Sequence, residues 1–140
     1  MKRARLALGL GCETGADAGE VIALAERVLT DANANRDDLA GVYSIDLKAD
    51  EPAIHAVSRH FGVEAMFYDA AQLETETPRL KNPSARVYKL VGCHGVAEAA
   101  ALVAVGPEGE LVVPKTRSAR ATAAIARSPV PIVNSGKLAK

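Results

Sequence analysis

The chain has 140 residues, enough for one domain around one core. Its 17 basic and 17 acidic residues balance, and its aromatic share is 4% with no Trp, which argues against coating nucleic acid or stacking on single strands. No apolar run is long enough to span a bilayer, Met1-Lys2-Arg3-Ala4-Arg5 does not open a signal peptide, and two cysteines make no disulfide framework, so a cytoplasmic protein is expected.

Residues 3–8 read as a first strand. Gly9-Leu10-Gly11-Cys12-Glu13-Thr14-Gly15 then reads as a strand-to-helix junction. Glycines at such a junction let backbone N–H groups face a phosphate or carboxylate at the positive end of a helix. The first helix carries Val21, Leu24, Ala25, Val28 and Leu29 on one face, with Thr14 and Asp17 in a box-like capping arrangement. A polar connection over Asn33–Asp38 leads to a second strand at Val42–Ile45. Asp50-Glu51-Pro52 opens the next helix, Asp50 reading as its cap; Ile54, Val57 and Phe61 face the core and Gly62 stops it. Ala65–Tyr68 is a third strand, and Asp69 caps a brief turn of helix through Leu73.

Glu74–Pro83 is polar, holds two prolines and reads as an exposed, mobile loop. Ser84 caps a short helix through Leu90, Gly92-Cys93-His94-Gly95 breaks it, and an alanine-rich helix covers about Val96–Val105. Glu110–Val113 and Ala121–Arg127 form a closing antiparallel strand pair joined by Pro114–Ala119. The domain is expected over residues 1–128, with a flexible tail over 129–140. The expected fold class is α/β: a three-layer α/β/α single domain on a small mixed sheet with a C-terminal antiparallel strand pair.

Four segments could carry chemistry. The glycine segment fits neither the dinucleotide fingerprint, because Thr14 stands where its third glycine belongs, nor a phosphate loop, because Ala16 follows Gly15. Two readings stay open there: an anion site, or a tight turn that lets the first helix pack on the first strand. Cys12 is a nucleophile if the helix terminus lowers its pKa, or a small packed residue if not. Asp46 and Lys48 fall at the carboxyl end of the second strand, on the rim the glycine segment shares. His94 and Glu98 are four apart, on one helical face if the helix starts early enough. His55 and His60 stand at unhelpful spacing and there is no Cys-x-x-Cys, so no metal or cofactor is expected. Lys115, Arg117 and Arg120 put three cations in the last connection, as solvated decoration or as anion contacts.

Several stretches resemble one family. They are Gly9–Gly15, Ile45-Asp46-Leu47-Lys48-Ala49-Asp50-Glu51, Phe67-Tyr68, Pro83-Ser84, Gly92…Gly95-Val96-Ala97-Glu98-Ala99-Ala100-Ala101-Leu102, Pro114-Lys115 and Ala121-Thr122…Ala124-Ile125-Ala126-Arg127. In this order they are similar to the CobE proteins of cobalamin biosynthesis and to the C-terminal domain of the CbiG proteins, over nearly the whole chain to Arg127. Many relatives carry basic residues directly after the first cysteine, where this chain has Glu13 and Thr14.

The resemblance implies work on the modified tetrapyrrole that becomes the corrin ring. Full CbiG proteins are associated with hydrolytic opening of a cobalt-precorrin lactone, with release of acetaldehyde. Three functions are therefore expected in order: binding a precorrin-type tetrapyrrole; hydrolysing its lactone, with Asp46 or His94 activating water; and contacting other pathway enzymes through the 74–83 loop. Gly9, Gly11, Cys12, Gly15, Asp46, Lys48, Gly95, Glu98 and Lys115 are the expected ligand contacts. Neither nucleic acid nor membrane is expected as a partner.

Overall fold

The computed structural model describes residues 4–134. Five strands, β1 (Leu6–Cys12), β2 (Leu39–Ile45), β3 (Glu64–Tyr68), β4 (Glu110–Arg117) and β5 (Ala121–Arg127), form one sheet in the order β3-β2-β1-β5-β4. β1, β2 and β3 run parallel, while β5 is antiparallel to both β1 and β4. The helices are α1 (Ala18–Asp31), α2 (Pro52–Phe61), α3 (Ala70–Glu74), α4 (Ala85–Val91) and α5 (Ala97–Val105). The mixed three-layer α/β fold is the one expected from the sequence.

β1 organises both layers. Leu6, Leu8 and Leu10 face a core built with Val21, Leu24, Val28, Ile54 and Val57 of α1 and α2. Ala7 faces the other way, into a core with Tyr43, Leu73, Ala99, Ala100 and Leu102. Alternation along a strand places Gly9 and Gly11 on this second face too. A Cβ on Gly9 would lie 1.9 Å from the Ala97 carbonyl oxygen, so glycine lets α5 sit directly on the strand. α5 is apolar apart from Glu98, and every residue from Ala97 to Leu102 is buried, its alanines and Leu102 packing against the sheet and α3.

This corrects the expected junction. β1 runs on to Cys12, so Gly9 and Gly11 are strand residues, and only Glu13–Asp17 connects strand to helix. Asp17 alone caps α1, accepting from Glu20 N–H at 3.0 Å. Asp50 does not cap α2: Glu51 holds that position, without a side-chain capping bond, and Pro52 follows in the first turn. Gly62 closes α2 at φ +69°, as its position suggested.

The 74–83 stretch also differs from its reading as a loose loop. Thr77–Arg79 forms a 3-10 turn, and the Arg79 guanidinium donates to the carbonyls of Gly109 (2.8 Å) and Gly106 (3.1 Å) and pairs with Glu76 (2.9 Å). A cation placed over the carbonyls that end α5 satisfies groups the helix cannot satisfy itself. β4 extends to Arg117, which shortens the hairpin turn to Ser118–Arg120. Residues 129–134 of the expected tail return along the sheet. Ile132 N–H donates to Ala4 O (2.9 Å), and Asn134 bonds Ala40 O (3.1 Å) and the Tyr43 hydroxyl (2.7 Å). Residues 135–140 of that tail lie outside the described residues. No helix of the described residues is long and apolar enough to cross a membrane.

Candidate functional site

The carboxyl ends of the parallel strands, where ligands of open α/β sheets bind, meet the start of β5 at a cleft of about 330 Å³. β1 supplies its floor through Gly11 and Cys12, and β2 contributes Ile45. One wall is α4 and the segment after it, with Val87, Leu90, Val91, Gly95 and Val96. The opposite wall is the β4–β5 hairpin, with Lys115, Arg117 and Arg120; Lys48 enters from the turn after β2. An apolar wall thus faces a cationic one. α4 has no buried residue, and Leu90 stands 70% exposed.

Lys48 is held from two sides. Its Nζ donates to the Thr14 hydroxyl (3.1 Å) and lies 3.9 Å from Glu51 Oε1. The other oxygen of buried Glu51 accepts from Gly15 N–H at 3.1 Å. A main-chain donor of the glycine segment is therefore satisfied by the protein's own carboxylate. Gly15 takes φ +78°, a conformation that suits glycine, and it serves this internal contact. Lys115, Arg117 and Arg120 are differently placed: among the described residues their one ion pair is with Glu13, 3.9 Å from Arg120 Nε, and the charge of Arg120 also acts on Glu20.

Cys12 is half-buried, and burial, with Glu51 adding to it, pushes its thiol up to about 11 despite nearby Lys48. That is the opposite of what a nucleophile at a helix terminus needs. The condition for His94 and Glu98 to share a helical face is not met, because α5 starts only at Ala97. His94 stacks on Tyr88 (centroids 4.4 Å apart), and its Nδ1 lies 2.8 Å from Glu74 Oε2. It fastens α4 to α3 and does not line the cleft.

Glu98 is buried at 2% exposure and takes four donors: Lys81 N–H (2.9 Å), Asn82 N–H (3.0 Å), Asn82 Nδ2 (2.9 Å) and Lys115 N–H (2.8 Å). Burial opposes its ionisation, but these bonds more than offset that and hold the carboxyl below its ordinary value. Asp46 is exposed at the rim, outside the cleft lining. Of the expected contacts, then, Gly11, Cys12, Lys48, Gly95 and Lys115 come together at the cleft. Gly9 and Glu98 are occupied inside the fold, the N–H of exposed Gly15 is taken by Glu51, and Asp46 and His94 stand outside the cleft lining.

From the sequence Arg117 and Arg120 stay an open choice, and the apolar face of α4 is not among the expected contacts. The i, i+3, i+4 spacing of Val87, Leu90 and Val91 was a legible signal for that face. The arginines depend on β5 lying against β1, which brings the start of β5 to the rim where the parallel strands end.

A family model described as "Cobalamin synthesis G C-terminus" matches residues 6–126. The chain is 58% identical over 123 residues to a Sinorhizobium protein called Protein CobE, covering 88% of this chain and 80% of that protein. It is 31% identical over 125 residues to a cobalt-precorrin-5A hydrolase of Priestia megaterium, covering 89% of this chain but only 32% of the hydrolase. A crystal structure of CobE, a protein from the cobalamin (vitamin B12) biosynthetic pathway, superposes with a TM-score of 0.82 at 34% identity, over 93% of this chain and 94% of that one. The cobalamin biosynthesis protein chiG of Agrobacterium tumefaciens shares the fold at a TM-score of 0.68 and 24% identity, over 89% of this chain and 98% of that one.

Proposed function

Because the chain belongs to the cobalamin synthesis G C-terminal family, and is thus a cobalamin-biosynthesis protein, we propose that it binds a precorrin-type tetrapyrrole at the cleft described above. One observation carries the reading: an apolar wall of Val87, Leu90, Val91 and Val96 facing a wall with Lys115, Arg117 and Arg120. A precorrin is a flat macrocycle rimmed by acetate and propionate carboxylates. Its ring needs an apolar surface and its rim needs cations, Arg being suited to bidentate bonds with carboxylates. A cleft of about 330 Å³ is near the small end for ligand sites, roughly 300–1,000 Å³. It takes one edge of the macrocycle and leaves the other edge outside.

A hydrolytic reading rests on the likeness to the Priestia megaterium enzyme, of which this chain spans about a third. Lactone opening needs a base within reach of the attacking water. Among the described residues the cleft lining includes a single carboxylate, Glu13, and no histidine. Asp46 and His94 stand outside it, which favours binding over catalysis.

Titrating the purified protein with hydrogenobyrinic acid, a metal-free corrinoid, tests the reading. A saturable change in pigment absorbance, with co-elution on gel filtration, is expected. An unchanged spectrum with the pigment eluting alone would refute it.

A further inference from the structure

Three of the four cations at the cleft are carried by the β4–β5 hairpin. Two acidic side chains hold that hairpin from outside the cleft, and neither touches a cationic head. The β4–β5 ladder is irregular between Val113 and Thr116. Pro114 there has no N–H, and the N–H of Lys115 goes to Glu98 Oε2 at 2.8 Å. A local break of this kind redirects a side chain and leaves a main-chain group to be satisfied elsewhere. At the other end of the turn, Glu20 of α1 accepts from the Arg120 N–H (2.7 Å) and the Ser118 hydroxyl.

Glu98 also ties in a second segment, outside the cleft lining. Its other oxygen binds the N–H groups of Lys81 and Asn82, which lead into α4. One buried carboxylate thereby joins the approach to the apolar wall with the strand of the cationic wall. Resting on the proposed tetrapyrrole binding, we infer that Glu98 and Glu20 are positioning residues: they set the hairpin by its backbone and the Ser118 hydroxyl, and leave the heads of Lys115 and Arg117 to the ligand's carboxylates, beside an Arg120 paired with Glu13.

A double-mutant cycle separates this from a general stabilising role, since side chains acting through one another give non-additive effects. With hydrogenobyrinic acid as probe, Lys115→Gln and Glu98→Gln are each expected to weaken binding about tenfold, roughly the loss of one good charge-assisted contact. Combined, they should cost no more than about threefold beyond Glu98→Gln alone. Losses that multiply to about a hundredfold, or a Glu98→Gln protein that binds like the parent, would overturn the inference. Glu20→Gln with Arg117→Gln forms a second cycle at a less buried site, and it decides the matter if Glu98→Gln does not fold. If the parent protein does not bind the pigment, the proposed function fails, and amide hydrogen exchange decides the positioning role separately. The Lys115 and Arg120 amides should exchange at least about tenfold faster in Glu98→Gln and Glu20→Gln respectively; unchanged exchange would overturn it.

Discussion

Cys12 and Glu98 show how surroundings decide what a side chain does. Burial raises the Cys12 thiol to about 11, so it stays protonated at neutral pH. Native protein at pH 7.5 should therefore react with a thiol reagent far more slowly than unfolded protein at both Cys12 and buried Cys93, whose thiol burial also raises. Labelling of Cys12 at the rate of a free cysteine would contradict this. For Glu98 the sign runs the other way. Its carboxyl is held below the ordinary value of 4.5 by the hydrogen bonds it accepts, although burial acts against them. Its contribution to stability is therefore present above that value and lost as pH falls through it towards the lower folded-state value. The urea midpoint of the parent should fall between pH 6 and pH 3 more steeply than that of Glu98→Gln; parallel slopes would argue against this. The residue types at positions 12 and 98 were visible in the sequence. Their surroundings were not, because the partners of Glu98 all lie 16 or 17 positions away, on both sides of it in the chain.

At the scale of elements, β1 gives the clearest contrast between what a sequence shows and what it hides. The run Leu6-Ala7-Leu8-Gly9-Leu10-Gly11 alternates large with small, which is a strand signal with a small-residue face. The expected strand-to-helix junction at Gly9–Gly15 cuts across that alternation, which β1 continues to Cys12. Close approach of α5 explains Gly9, and the cost of filling that space can be compared along one strand. Gly9→Ala sets a methyl against the Ala97 backbone carbonyl, which can move only with the helix. It should cost about 3 kcal/mol, the upper end for overpacking, and lower Tm by roughly 10 °C. Gly11→Ala meets the Thr122 hydroxyl at 2.9 Å, the tip of a side chain that can rotate, and should cost about 1 kcal/mol. Thermal melts of the two variants check the order; equal costs would contradict the packing account. Helices α1 and α2 were legible because each puts one apolar face on the sheet. The end of β4 was not, because Pro114 reads as a strand breaker and its tolerance depends on the irregular ladder at that point.

For the whole molecule, the order β3-β2-β1-β5-β4 brings four separated segments to one rim: residues 11–13, 45–48, 87–96 and 115–122. The shared rim of the first two was legible from alternating strands and helices. Placing the hairpin beside them needed the β1–β5 pairing, which no local pattern encodes. The resulting site is electrostatic on one wall and apolar on the other. Binding of a carboxylate-rich macrocycle should accordingly weaken as salt rises without vanishing, because screening reduces only the charged part. The most direct measurement compares two charge-neutralised proteins by titration with hydrogenobyrinic acid. One carries Lys48→Gln, Lys115→Gln and Arg117→Gln at the cleft. The other carries Arg27→Gln and Arg59→Gln, exposed on α1 and α2 in the other helical layer. Cleft binding predicts a loss of about a hundredfold or more in the first and less than about threefold in the second. Equal losses in both proteins would mean that general charge attraction, and not this cleft, holds the pigment.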